Sequence, residues 1–218
     1  MSNYILKYAR DERVKYISHL DFIRTFHRTV RRAGLEMSFS QGYNPHPIMT
    51  VAMPLSVGVT SGCEYMKIGF EGDYDDKEIK DRLNGALPEG FSILEVCKTE
   101  GKQHDFARLD RAVYLVEMEG NCDWFDENVF LANSELKIMK KSKSGEKESD
   151  IRPYIYDFSV LKRSPEKMLL KMCIAAGNSY NLKVESVKDA MEKYSDGFKS
   201  DFFCIHREKI LAGNDELL

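Results

Sequence analysis

The order in which hydrophobic patterns follow one another constrains this fold more than any single motif. Apolar alternation at Tyr4–Tyr8 precedes a helical stripe after Ser18, strand-like runs at Ile48–Leu55 and Glu64–Phe70, a second helical stripe at Asp75–Leu87 and a strand at Phe91–Val96. After a polar linker at 98–110 the order recurs. Ala112–Met118 reads as a strand, Trp124–Ala132 as a helix and Leu136–Lys141 as a strand. A charged insert (143–150) and an extended stretch at Ile151–Leu161 follow. Met168–Ala175 then reads as a strand, Leu182–Tyr194 as a helix and Phe202–Leu211 as a strand. This order, used twice, predicts an α+β protein of two tandem ferredoxin-like (βαββαβ) halves with antiparallel sheets, residues 1–98 and 110–218. No residue-level repeat accompanies it, so the duplication rests on element order.

Local signals fix several boundaries. Ser18 is placed to cap a helix, with Asp21 three residues on. Leu20, Ile23, Phe26 and Val30 are spaced as its buried stripe, and Gly34 closes it. Tyr4–Tyr8 and Val14–Ile17, around the polar turn Arg10-Asp11-Glu12-Arg13, read as a strand or a hairpin. Asp75 caps the second helix, with Ile79, Leu83 and Leu87 inward. Val184, Val187, Met191 and Tyr194 are the inward set of the last helix. Ser40-Gln41-Gly42-Tyr43-Asn44-Pro45-His46-Pro47 reads as an ordered, turn-rich loop.

Composition removes whole classes of function. Twelve Phe and eleven Tyr fill a sizeable core, which excludes a mainly disordered chain. No apolar run reaches the roughly 18 residues of a membrane helix, and Met1–Tyr8 has no secretory h-region. A cytoplasmic protein without a membrane partner is expected. Five cysteines, no two closer than 25 residues, argue against a disulfide framework, a zinc site or an iron–sulfur cluster. Buried, reduced thiols and no metal or cofactor are expected; a histidine site assembled in space is the loophole. The net charge is −3, yet residues 1–48 hold eight Lys and Arg against four Asp and Glu. That imbalance permits a local anion site.

Candidate functional residues cluster in the same quarter. His19, at a helix start, reads as an acid/base or phosphate contact, or as a ring that orders the helix end. His46, stiffened by Pro47, reads as a presented binding or acid/base residue, or as part of a turn that needs rigidity. Arg24, Arg28 and Arg31 share one helical face and suit phosphate, or else pair with the acidic segment 71–95. Gln41, Tyr43 and Asn44 complete a ligand-binding set on the loop. His27, His104 and His206 are weaker candidates, Cys63 lacks a local base, and basic Lys137–Lys147 reads as a solvated hairpin. No phosphate loop, dinucleotide fingerprint, nucleophile elbow or zinc-protease motif is present.

Ile17-Ser18-His19-Leu20-Asp21, Arg24, Arg28, Arg31-Arg32-Ala33-Gly34-Leu35 and Phe39–Pro47 together resemble the radical SAM-linked protein family. Pro54–Val59, Glu64-Tyr65, Leu83-Asn84, Asp150–Pro153 and Arg207 extend the likeness along the chain. The family is a domain of unknown function, found alone or at the C-terminus of radical SAM proteins. The resemblance implies a link to such enzymes, not their chemistry, since the chain lacks the Cys-x-x-x-Cys-x-x-Cys cluster motif. The tandem plan is also similar to that of CRISPR RNA-processing endonucleases and tRNA pseudouridine synthases, as an analogy of fold only. Three functions stand as expectations. The first is an RNA- or phosphate-ligand-binding module beside a radical SAM partner. The second is a metal-independent RNA-processing enzyme using His19 or His46. The third is a protein-interaction domain working through its sheet edges.

Overall fold

Tyr4, Leu6 and Tyr8 alternate along β1 (Ser2–Arg10) and enter one core with Met66, Ile68 and Phe70 of β3 (Thr60–Phe70). In the computed structural model, residues 1–100, 105–142 and 145–218 are described, with backbone alone at 140–142. His104, and Lys143 and Ser144 of the basic segment, lie outside the described residues. The chain divides into two units, residues 1–109 with 214–218, and residues 110–213.

The first unit adds α1 (His19–Arg32), β2 (Met49–Val51), α2 (Asp76–Ala86) and β4 (Phe91–Thr99). Its strands run β4-β1-β3-β2, every neighbouring pair antiparallel, which is the ferredoxin-like order. Both helices cover the same sheet face: Phe22, Phe26 and Val30 from α1, Ile79 and Leu83 from α2. Phe22 stacks on Tyr8 with ring centroids 5.2 Å apart and meets Phe91 at 5.6 Å. The Ser18 Oγ accepts from Asp21 N–H, Asp75 caps α2 through Lys77 N–H, and Gly34 takes φ +68 after α1. Each of these local signals is where the sequence puts it.

The second unit comprises β5 (Arg111–Gly120), α3 (Glu127–Ala132), β6 (Lys137–Ser142), β7 (Gly145–Asp150), β8 (Ile155–Arg163), β9 (Lys167–Ala175), α4 (Val184–Tyr194) and β10 (Ser200–Ala212). Its sheet runs β10-β5-β9-β8, again antiparallel throughout. The second-strand role therefore falls to β8. The expected strand at 136–141 instead pairs with β7 as a separate hairpin, in register from Lys137↔Asp150 to Ser142↔Gly145. Tyr194 Oη, accepting from Lys137 N–H at 2.8 Å, ties that hairpin to α4.

Four details depart from the sequence reading. Val14–Ile17 is not a strand. The buried Arg10 guanidinium donates to the carbonyls of Val14 (3.2 Å) and Ile17 (3.0 Å), and Asp11 caps a short 3₁₀ turn at Glu12–Val14. Those carbonyls are thereby withdrawn from any ladder. Leu20 is 65% exposed, because α1 turns Phe22 rather than Leu20 onto Tyr8. Of the expected strand at 48–55 only Met49–Val51 forms a ladder with β3; Ile48 O and Ala52 N–H add single bonds to Gly69 and Tyr65, and 53–55 leave the sheet. The helix expected at 124–132 is broken: Phe125 is extended and drops into a cluster with Phe130, Phe158 and Phe198, so α3 restarts under an Asp126 cap.

Candidate functional site

α1 carries four arginines and one aspartate, and all four arginines are exposed. Arg24 is paired with Asp21 at 3.3 Å within its own helix. Arg28 and Arg31 have no hydrogen bond or ion pair among the described residues. The acidic second helix does not engage them: α2 is reached by Arg32, whose guanidinium donates to Ala86 O at 2.6 Å, while Arg82 pairs with Glu78 on α2 itself. An exposed arginine without a carboxylate partner is a solvated cation open to a polyanion.

The 40–47 loop is closed at its base and open at its tip. Ser40 N–H donates to His46 O at 2.8 Å, His46 N–H donates back to Ser40 Oγ at 3.0 Å, and Phe39 bridges Pro47. One step below, Ser38 N–H donates to Gly69 O and Gly69 N–H to Ile48 O, fastening the base to the end of β3. Gly69 lets the two segments approach closely: a Cβ would lie 3.3 Å from both Ser38 Cβ and Ile48 Cγ2, and those neighbours would have to give by a few tenths of an ångström. At the tip Tyr43 is fully exposed, with Gln41, Asn44 and His46 also open to solvent.

The loop and the helix meet through rings. His27 and Phe39 pack edge-to-face with centroids 6.3 Å apart. The loop base thus stands beside the middle of α1, about 12 Å along the axis from His19, and not at the helix start. His27 flanks the Arg24–Arg28–Arg31 row at helical spacing, so the row and the loop share one flank. His19 is half-buried, and among the described residues it makes no hydrogen bond, ion pair or ring contact with His46.

Sequence reasoning missed the apolar component of this surface. Tyr16 is 73% exposed and Val57 57% exposed, alongside the displaced Leu20. Gly58 N–H donates to Lys15 O at 2.8 Å, which seats the 54–59 loop against the turn that carries Tyr16. Gly58 adopts φ +86 there. The Pro-Leu-Ser-Val-Gly-Val string was the available signal, but its exposure depends on this tertiary bond.

The sheet edges are guarded by side chains. Asn84 of α2 donates to Ile93 O and accepts from Ile93 N–H on β4, at 3.0 and 2.8 Å. Lys80 donates to Leu94 O, and Asp76 accepts from Lys98 N–H. In the second unit the Glu127 carboxylate accepts from Val160 N–H on edge strand β8 at 2.8 Å. Backbone groups occupied in this way do not recruit a further strand, which disfavours partner binding by strand addition.

Cys63 and Cys122 are buried, and Cys97, Cys173 and Cys204 half-buried, all as free thiols. Burial pushes the Cys97, Cys122 and Cys173 thiols upward, away from the thiolate that a nucleophile needs. Among the described residues, no three His, Cys, Asp or Glu side chains gather as metal ligands do. No described helix is long and apolar enough to cross a membrane.

The fold and this surface define the class: a mixed α+β protein of two ferredoxin-like units, the first bearing a basic helix and a pinned loop. The chain belongs to DUF2344, a family of uncharacterised proteins conserved in bacteria, whose model matches residues 3–184. No curated protein matches it in sequence. Among solved structures it is similar to a chain of a Cbf5-Nop10-Gar1 complex at 10% identity and TM-score 0.48, over 95% of this chain and 48% of that one. It thus spans about half that chain's length. It is also similar to an unknown protein from Galdieria sulphuraria (14% identity, TM-score 0.27, 94% and 98% covered). A third likeness is to the acetolactate synthase small subunit of Thermotoga maritima (11% identity, TM-score 0.26, 95% and 94% covered). At these scores and identities the likenesses carry nothing about function.

Proposed function

We propose that this protein binds single-stranded RNA across the solvent face of α1 and the 40–47 loop, beside a radical SAM partner. The partner rests on the family resemblance alone. The observation that carries RNA binding is the pair Arg28 and Arg31, uncompensated on a rigid helix, next to a loop whose fully exposed Tyr43 stands on a hydrogen-bonded base. Cations that follow a phosphate backbone, with aromatic faces on which bases stack, are the recurring parts of single-strand recognition. Gln41 and Asn44 supply amide groups for base edges, and Tyr16 and Leu20 extend the apolar part of the surface. His46 is a ligand contact in this reading; its solvent-open ring has no partnering acid among the described residues.

The test is a titration of labelled single-stranded RNA at several salt concentrations. Each phosphate contact contributes about −0.7 to the log–log salt slope, so Arg28→Ala/Arg31→Ala should flatten it by about 1.4. Tyr43→Ala should lose about 1–3 kcal/mol of affinity and leave the slope unchanged. Equal binding by wild type and the arginine variant would reject the reading. RNA cleavage by wild type that is lost in His46→Ala would replace it with the processing-enzyme reading.

A further inference from the structure

The second unit holds a feature that RNA binding does not use. Trp124 is the chain's only tryptophan, and it is 66% exposed. It walls a cleft of about 370 Å³ together with Val129, Asp126, Lys193, Tyr194 and Asp196. That volume lies at the small end of ligand sites.

The wall is built rather than incidental. Trp124 ends a 3₁₀ turn whose N–H groups bond back to Asn121 O and Cys122 O. The Asn121 side chain in turn donates to Gly197 O and accepts from Lys199 N–H, fixing the loop on which the indole rests. Gly197 takes φ +81, and a Cβ there would lie 2.8 Å from Trp124 Cε3. The indole is thus held close against backbone that only glycine provides, and most of its surface remains free.

The cleft is lined by two carboxylates, Asp126 and Asp196, against one ammonium, Lys193, so its lining is net negative. Lys193 is already engaged: its Nζ donates to Lys137 O at 2.7 Å and lies 4.0 Å from Glu148. Asp126 uses one oxygen, Oδ1, to cap α3 through Asn128 and Val129 N–H, which leaves Oδ2 free. Asp196 has no hydrogen bond or ion pair among the described residues. Two carboxylates and an aromatic face around one small volume fit an organic cation, and a planar guanidinium best, since it stacks on indole and forks to carboxylate.

We propose that the Trp124 cleft binds a guanidinium group, carried either by a small molecule or by an arginine side chain of a partner protein. The test follows Trp124 emission in the full chain, where no other tryptophan contributes, during titration at constant ionic strength. The probes are N-acetyl-arginine amide, its neutral citrulline counterpart and an arginine-containing tripeptide. N-acetyl-arginine amide should give a saturable change with a dissociation constant on the order of millimolar, and the citrulline compound should bind at least about fivefold more weakly. Asp126→Asn/Asp196→Asn should weaken arginine binding about tenfold; asparagine keeps the α3 cap, and a thermal melt confirms the fold. A tripeptide tighter than the free amide by about tenfold assigns the site to a protein partner, and equal affinities assign it to a small molecule. The single indole N–H resonance gives a second readout. No saturation by about 50 mM, equal response to citrulline, or an unaffected double variant would each overturn the proposal.

Discussion

Replacing Asn84 with alanine isolates what α2 does for the edge of the first sheet. The wild-type amide makes two bonds to Ile93, at 3.0 and 2.8 Å, and alanine removes both. A net hydrogen bond contributes about 0.5–1.5 kcal/mol, and water replaces part of it at a half-buried edge. The expected loss is therefore about 1–2 kcal/mol. A chain of two units need not melt in one step, so the sharper assay is native-state hydrogen exchange at the Ile93 amide. There, a loss of about 1.4 kcal/mol appears as tenfold faster exchange. Asn84→Asp separates the two bonds. The carboxylate still accepts from Ile93 N–H but turns negative charge on Ile93 O, so this variant should be at least as destabilised at pH 7. It should recover in acid, where the protonated group regains a donor. Ile93 exchange within about twofold of wild type in Asn84→Ala would refute the reasoning, and the argument against strand addition at β4 would fall with it.

Three further outcomes are expected. Phe22→Ala, which empties the stack between Tyr8 and Phe91, should cost about 3–5 kcal/mol in a urea melt. Gly69→Ala should raise amide exchange at Ile48 and Ser38 and weaken RNA binding with an unchanged salt slope, because it loosens the loop base and removes no cation. Burial pushes the Asp110 carboxyl upward, but its bonds from Arg111 and from Gly213 N–H outweigh this and hold it below the usual carboxylate range. Its stabilising contribution is therefore present above the unfolded-state value of about 3.9 and fades as pH falls through the lower folded value. Asp110→Asn should melt below wild type at pH 7 and approach it by pH 3; an equal gap at both pH values would show that the charge is irrelevant.

The elements that could be read from sequence are those whose signal is local. Ser18, Gly34 and Asp75 act within one turn of themselves, so their roles survive folding unchanged. What misled were positions decided by a distant partner. Helical spacing admits Leu20 or Phe22 to the buried stripe, and Tyr8 on β1 chooses Phe22. Val14–Ile17 has strand composition, but the Arg10 side chain claims its carbonyls. The second ferredoxin-like strand passed from Leu136–Lys141 to β8 because register against β9, not propensity, selects it. At the candidate site, residue types and helical face were legible. The His27–Phe39 contact that brings the loop to mid-helix, and the exposure of Tyr16, Val57 and Trp124, depend on packing that no spacing encodes.

Asp110 N–H donates to Leu211 O at 3.1 Å, and its carboxylate accepts from Gly213 N–H at 2.8 Å, so the second unit begins and ends at one place. The chain leaves the first unit there and returns to it for residues 214–218. One unit is thus a guest and the other its host, and the two have unequal schedules. The host pairs Lys7 with Glu216 across 209 positions, whereas the guest is one continuous stretch, residues 110–213. When the guest folds first, it removes about half of the loop the host must close, which lowers that entropic cost by about 0.6 kcal/mol.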